Sequence, residues 1–241
     1  MRGSCFIKPW ELTLTTNQEQ WEQGGVISGC LEVKGDGDQS EIKVLLAYGT
    51  FKKVRQQDEG AFIVQTALEV DSNSNFTIKL PMDVPITDKS GSLYLLYGVG
   101  DQLIKYGQLQ LQVELAAPLA SFLKILVDFF RFRLAQTKFK KGYSEFKLVP
   151  PSTKEFTTMD SLACSLRMDG QDIEIKYSFK VRILDMVSGK MQVERKAKMF
   201  VTRLTPQQYL SFGAPNYDVI KGSIEETMKQ VIKGQFLMGQ L

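Results

Sequence analysis

The residues able to do chemistry in this chain are few, and their pattern begins with an absence: none of the 241 residues is histidine. Histidine is the commonest general base near neutral pH and a frequent metal ligand, so Ser-His-Asp triads and histidine-based zinc sites are excluded. Catalysis would have to rely on carboxylates, lysine or tyrosine. Cys5, Cys30 and Cys164 are odd in number and far apart, which suits reduced thiols of a cytoplasmic protein and offers no zinc spacing. The acidic stretch from Asp36 through Asp38 to Glu41 begins like a calcium loop, but an EF-hand there needs glycine and a bidentate glutamate where the chain has Glu41 and Ala47. A hairpin turn is the expectation. Gly98-Val-Gly100 starts a dinucleotide fingerprint, yet Leu103 stands where the third glycine belongs and no helical pattern follows. Asn75-Phe76-Thr77 fits a glycosylation acceptor and equally a strand start, and without a secretory signal the strand start is the expectation. These residues predict no catalytic group, no metal and no cofactor.

What remains is charge. The chain carries a net +3, but residues 1–117 hold 10 Lys and Arg against 15 Asp and Glu, whereas residues 118–241 hold 20 against 12. In the basic half, Lys176, Lys180 and Arg182 alternate along one stretch, and Lys196 and Lys198 alternate along the next. Together they form a candidate partner-binding basic face. Charges of like sign about 7 Å apart in water repel by only about 0.6 kcal/mol, so such a row is tolerated without a partner. An anionic surface is the alternative use. Nucleic acid is disfavoured: no known DNA- or RNA-binding module is visible, and a pI near 8.6 is only mildly basic.

The elements that must position these charges are strands. In DIEIKYSFKVRIL, Ile173, Ile175, Tyr177, Phe179, Val181 and Ile183 fall on one side, and Glu174, Lys176, Ser178, Lys180 and Arg182 on the other. That period of two predicts an antiparallel sheet with one wet face. QLQLQVEL alternates in the same way, as do the runs around Trp10 to Leu14 and Phe76 to Leu80. Turn signals lie between them at Gly24-Gly25, Gly35 to Asp38, Asp71 to Asn75, Asp169-Gly170 and Ser188-Gly189. Pro81 and Pro85 cannot donate to a sheet ladder, so they end one strand, and a loop must travel before Ser92 begins the next.

Three stretches read as helices. In PLASFLKILVDFF the apolar residues recur at helical spacing, and about 13 residues, about 20 Å, are too few to cross a bilayer. TPQQYLSF has Thr205 as cap, Pro206 at the first position and Gln208 closing a capping box. In SIEETMKQVIKG, Ser223 and Glu226 are the expected box. The N-terminus has no apolar run of signal-peptide length, which predicts a cytoplasmic protein, and no stretch predicts a transmembrane segment. With 43% hydrophobic and 24% charged residues, the composition is that of a soluble folded chain.

Two groups of residues resemble a known family. GGVISGCLEVK, followed by Leu80-Pro81, Pro85, Gly91-Ser92 and Tyr94 before an alternating strand, resembles the N-terminal sandwich of the arrestin superfamily. FRFRLAQTKFKKG, YSEFKLVPPS and the long run from Phe156 to Leu184 follow in the order used by the bacterial sporulation-control proteins, an arrestin-like group. The resemblance spans about residues 7–204. No counterparts appear for the charged inter-domain cluster or the paired phosphate-sensing lysines of receptor arrestins. The resemblance implies an adaptor or scaffold that works through protein contacts in developmental or stress control, without an active site.

The expectation is therefore an all-β chain of two antiparallel, immunoglobulin-like sandwiches, residues 1–117 and 118–241, with a short helix near their junction and a C-terminal helix. Its expected function is a non-enzymatic cytoplasmic adaptor that binds protein partners through strand edges and the inter-domain groove. The alternative is a sandwich that binds a small molecule or carbohydrate, with Trp10, Trp21 and tyrosines lining the site.

Overall fold

The period-two runs fold as strands, and the places where the pattern changes are where the chain changes sheet. The computed structural model describes residues 1–36, 41–187 and 190–233, and the chain divides into units Met1–Ala116 and Ala117–Leu241. The first unit contains β1 (Arg2–Ile7), β2 (Trp10–Thr16), β3 (Gln20–Glu22), β4 (Val26–Lys34), β5 (Ile42–Thr50), the short helix α1 (Phe51–Arg55), β6 (Phe62–Leu68), β7 (Asn75–Lys79), β8 (Gly91–Val99), β9 (Gly107–Gln110) and β10 (Gln112–Glu114). One four-stranded sheet runs β1-β2-β4-β7 and the other runs β6-β5-β8-β9. Leu12, Leu14, Ile27 and Leu31 from the first meet Val44, Leu46, Leu93, Leu95 and Tyr97 from the second in one core. This is a β-sandwich, its inner faces filled by alternate residues of each strand.

The strand after the paired prolines is hydrophobic because both its faces are covered. Leu93, Leu95 and Tyr97 enter the sandwich core, while Tyr94 and Leu96 join a second cluster with Phe62 and Tyr106, against which Phe51 and Val54 of α1 pack. The loop before it is held by Asp88, whose Oδ1 accepts hydrogen bonds from the Ser90 and Gly91 amides. QLQLQVEL divides: β9 pairs with β8, and β10 runs parallel to β3. Gly98 belongs to this packing, since a Cβ there would lie 2.7 Å from the Tyr106 ring. The Asp36 to Glu41 stretch is flanked by β4 and β5, which lie in different sheets, so it links sheets instead of closing a hairpin. Its residues 37–40 fall outside the described residues.

The second unit opens with α2 (Ala117–Lys124), which widens into a π-helical turn over Ile125–Phe129. Then come β11 (Arg133–Lys140), β12 (Tyr143–Val149), β13 (Met159–Asp169), β14 (Asp172–Val187) and β15 (Lys190–Leu204), an antiparallel sheet in sequence order. The expected turn at residues 188–189 lies outside the described residues, and Val187 pairs with Lys190 across it. The chain ends with α3 (Pro206–Tyr209), the two-residue ladder β16 (Leu210–Ser211) and β17 (Ala214–Pro215), and α4 (Tyr217–Lys233).

The expected character, mostly β with antiparallel sheets, few helices and a C-terminal helix, is the character of the molecule. The second unit differs in how it closes its core. Among the described residues, helices and a two-residue ladder accompany the five-stranded sheet, in place of another broad sheet. Leu119, Phe122 and Leu126, and Ile220, Ile224 and Met228, are buried at helical spacing, and Phe122 lies 6.1 Å from the Tyr177 ring on β14. The apolar stripes of α2 and α4 thus do the work of a second sheet. Thr205 caps α3 as expected, its amide donating to Gln208 Oε1 at 2.9 Å. Helix α4 begins six residues before the expected Ser223: Asn216 Oδ1 accepts from the Val219 amide, so asparagine supplies the cap.

Both tryptophans, Trp10 and Trp21, are buried in the first unit, so their fluorescence reports on that unit alone. Leu95 is fully buried between the two sheets, and Leu95→Ala is expected to cost about 2–5 kcal/mol. The tryptophan-detected urea midpoint should fall accordingly, and an unchanged midpoint would contradict the sandwich core.

Candidate functional site

Strand β14 sorts its side chains as its sequence predicts. Ile173, Ile175, Tyr177, Phe179 and Val181 are buried on the helix-covered face, and Lys176, Lys180 and Arg182 are exposed on the other. In an antiparallel ladder, residues directly opposite share a face. Lys196 is opposite Val181 and Lys198 is opposite Phe179, so both belong to the helix-covered side. The five residues expected to make one basic face are therefore divided between two. Lys198 Nζ donates to the Val231 carbonyl near the end of α4, at 3.0 Å, where a helix favours a cation. Lys196 pairs with Glu194 at 2.9 Å.

The open face of the sheet has its own order. At one end Glu174 accepts from Arg167 Nε at 2.7 Å and from the Tyr143 hydroxyl at 2.9 Å, and Lys176 Nζ donates to that hydroxyl at 2.6 Å. Arg167 and Lys176 both lie over the Tyr143 ring, 4.7 and 4.2 Å from its centroid. Burial raises the Glu174 pKa, but the hydrogen bonds from Arg167, Tyr143 and Lys176 outweigh it and hold the carboxyl below its usual range. Beyond it, Arg203 is bonded to Asp169 and approaches Asp172. At the other end Asp160 bridges Arg182 and Arg195 at 3.0 and 3.1 Å, and Arg182 also donates to the Thr157 carbonyl. Two of the three cations expected on this face, Lys176 and Arg182, are thus held within the sheet.

The middle of the face is different. A recess of about 350 Å³ is lined by Lys138 and Gln136 of β11, Glu145 and Lys147 of β12, Ser161, Ala163 and Ser165 of β13, and Ser178 and Lys180 of β14. Small side chains form its floor. Lys147 stands opposite Ala163 and Ala163 opposite Ser178, while Ser161 stands opposite Lys180. Lys180 is the one expected residue that lines the recess. Lys138 and Lys147 escaped the sequence reading because only the sheet order brings β11 and β12 to the same face as β14, although β12 alternates, with Ser144, Phe146 and Leu148 buried and Glu145 and Lys147 on the other side. The signal available was the lysine content of TKFKKG and FKLV.

Beside the recess runs β15, outermost in the sheet. On the open face it presents Val193, Met199 and Val201, 62%, 78% and 67% exposed. Of the aromatics proposed for a ligand site, Trp10 and Trp21 are in the core of the first unit and Tyr94, Tyr97, Tyr106, Tyr177 and Tyr209 are buried, while Tyr217 is exposed and lines a separate recess with Phe129. Cys164 is fully buried on β13, its thiol pKa pushed up by desolvation, and Cys5 and Cys30 are half-buried free thiols. Among the described residues, no cluster of three or more His, Cys, Asp or Glu is placed to hold a metal ion, and no helix is long and apolar enough to cross a membrane.

No protein-family model matches this chain, and no curated protein matches it. Among solved structures it is similar to the sporulation control protein Spo0M of Bacillus subtilis, with a TM-score of 0.61 and 17% identity, over 93% of this chain and 99% of that one. The similarity shows the fold: the chain has the Spo0M-like, arrestin-like architecture that its sequence resembles.

The Glu174 cluster has a measurable pH signature. A carboxyl whose pKa is lowered on folding stabilises the fold above its unfolded pKa, and that contribution is lost as pH falls through the folded value. Glu174→Gln is expected to cost about 1–2 kcal/mol at pH 7, the exposed partners Arg167 and Lys176 keeping it small. The deficit should shrink toward zero as urea melts are taken to pH values below the carboxylate range. A deficit independent of pH would assign the effect to packing.

Proposed function

We propose that this chain is a non-catalytic cytoplasmic adaptor that receives an extended segment of a protein partner along β15. The observation that carries the reading is the alternation of exposed Val193, Met199 and Val201 along a 15-residue strand at the margin of its sheet. An outermost strand offers unpaired backbone donors and acceptors, and natural proteins keep such strands short or covered unless they are used. Strand addition supplies affinity through the main chain, and alternate side chains supply specificity. Arg195, between Val193 and Met199, and Arg203, beyond Val201, share that face and are each held by aspartates of the sheet, which leaves the apolar side chains as the contacts offered to a partner strand.

A binding role also suits the chemistry of the open face. Glu174, Asp160, Asp169 and Asp172 are engaged by arginine and lysine, and among the described residues no base is hydrogen-bonded to Ser161, Ser165 or Ser178. The fold supports the same reading, because a sheet covered by helices on one side presents an open face and an outermost strand instead of a deep cleft. Spo0M is described as a sporulation control protein, and a regulatory role in developmental or stress control is the context we assign.

The test is recovery of partners from native cytosol on the immobilised full chain, in parallel with Met199→Glu/Val201→Glu. Both positions are exposed, so the variant should melt within about 0.5 kcal/mol of the parent. A specific partner identified by mass spectrometry should be depleted at least tenfold on the variant, and β15 amides should gain protection from hydrogen exchange in the reconstituted complex. Equal recovery on both proteins would remove β15 from the interface. Recovery of no protein, together with a thermal shift by one metabolite, would replace the adaptor with a small-molecule receptor.

A further inference from the structure

The recess at the centre of the open face has a feature that its borders lack. Every other cation named on that face has a carboxylate: Arg167 and Lys176 share Glu174, Arg182 and Arg195 share Asp160, and Arg203 has Asp169 and Asp172. The side chains of Lys138, Lys147 and Lys180 make no hydrogen bond or ion pair among the described residues, although all three line one cavity. They come from three different strands, and the serine hydroxyls of Ser161, Ser165 and Ser178 stand between them without a partner. Glu145 is the only carboxylate in the lining, so the recess holds a net charge of about +2.

We propose that this recess binds a dianionic phosphate group of a small soluble metabolite, a phosphate monoester or a diphosphate. Three ammonium groups and three hydroxyl donors match the several acceptor oxygens of a phosphoryl group, and the residual charge matches a dianion. The depth supports a small ligand: Ala163 and the serines lower the floor while longer lysines rise around it. Stacked nucleobases or sugar rings find no platform here. The one aromatic in the lining, Phe146, is itself buried, and Tyr143 outside the recess is already covered by Arg167 and Lys176. The recess borders β15, where Met199 stands opposite Ser178, but it is lined by β11 to β14 and its occupancy does not depend on the adaptor reading.

The experiment titrates pyrophosphate into the full chain by calorimetry, with citrate as a carboxylate comparison and phosphatidic acid vesicles as a membrane comparison. Two variants with equal charge loss accompany it: Lys147→Gln/Lys180→Gln in the recess, and Lys43→Gln/Lys52→Gln in the first unit. All four lysines are exposed, so both variants should keep the parent's fold. The expected result is saturable pyrophosphate binding, weakened by added salt, and lowered about tenfold or more per lysine only in the recess variant. Absence of saturable binding, equal loss in both lysine variants, preference for citrate, or binding confined to vesicles would each overturn the proposal. Recovery of no protein partner by the parent chain, with pyrophosphate binding intact, would instead count against the adaptor alone.

Discussion

The second unit depends on one constraint: a sheet whose alternate residues are apolar must be covered on that side, and here two helices do the covering. Tyr177 and Phe179 stack with ring centroids 5.8 Å apart, and Phe122 packs on Tyr177 from α2. Once α2 and α4 are committed to that face, every polar residue of opposite parity is forced to the other. The ion pairs of Glu174, Asp160 and Asp169, the recess and the exposed margin of β15 are consequences of this division. They lie on the open face because burial of the first set left no other place for the second.

The first unit meets the same constraint with a second sheet. Its central strand β8 is covered twice, by the opposing sheet and by the cluster of Tyr94, Leu96, Phe62 and Tyr106. That is why a strand with almost no polar residue follows a loop broken by two prolines. The loop carries the chain to the inner position of the sheet, and turn chemistry at Asp88 fixes its arrival.

Much of this was legible in the residues, and the exceptions have physical causes. The alternation in β14 was plain because both parities are chemically pure. In β15 it was not, since Val193, Met199 and Val201 occupy one parity and Phe200 and Leu204 the other. Nothing in that strand alone says which set faces the helices, and the expectation that Lys196 and Lys198 share the face of Lys176 fails for that reason. Their placement follows from the register with β14, a long-range pairing that local sequence does not contain. The recess was illegible for the same reason: its three lysines are separated in sequence and are gathered only by sheet order. The start of α4 was misplaced because Ser223 and Glu226 satisfy a capping pattern within a helix that an earlier asparagine had already begun.

The buried Cys164 carries a final implication. Its sulfur lies on the covered side of β13, at zero exposure, with the thiol favoured over the thiolate. An oxidant or electrophile can reach it only after the sheet parts from its helices. Damage at that atom would therefore mark a molecule already lost to unfolding, which sets this cysteine outside any reversible signalling by redox chemistry.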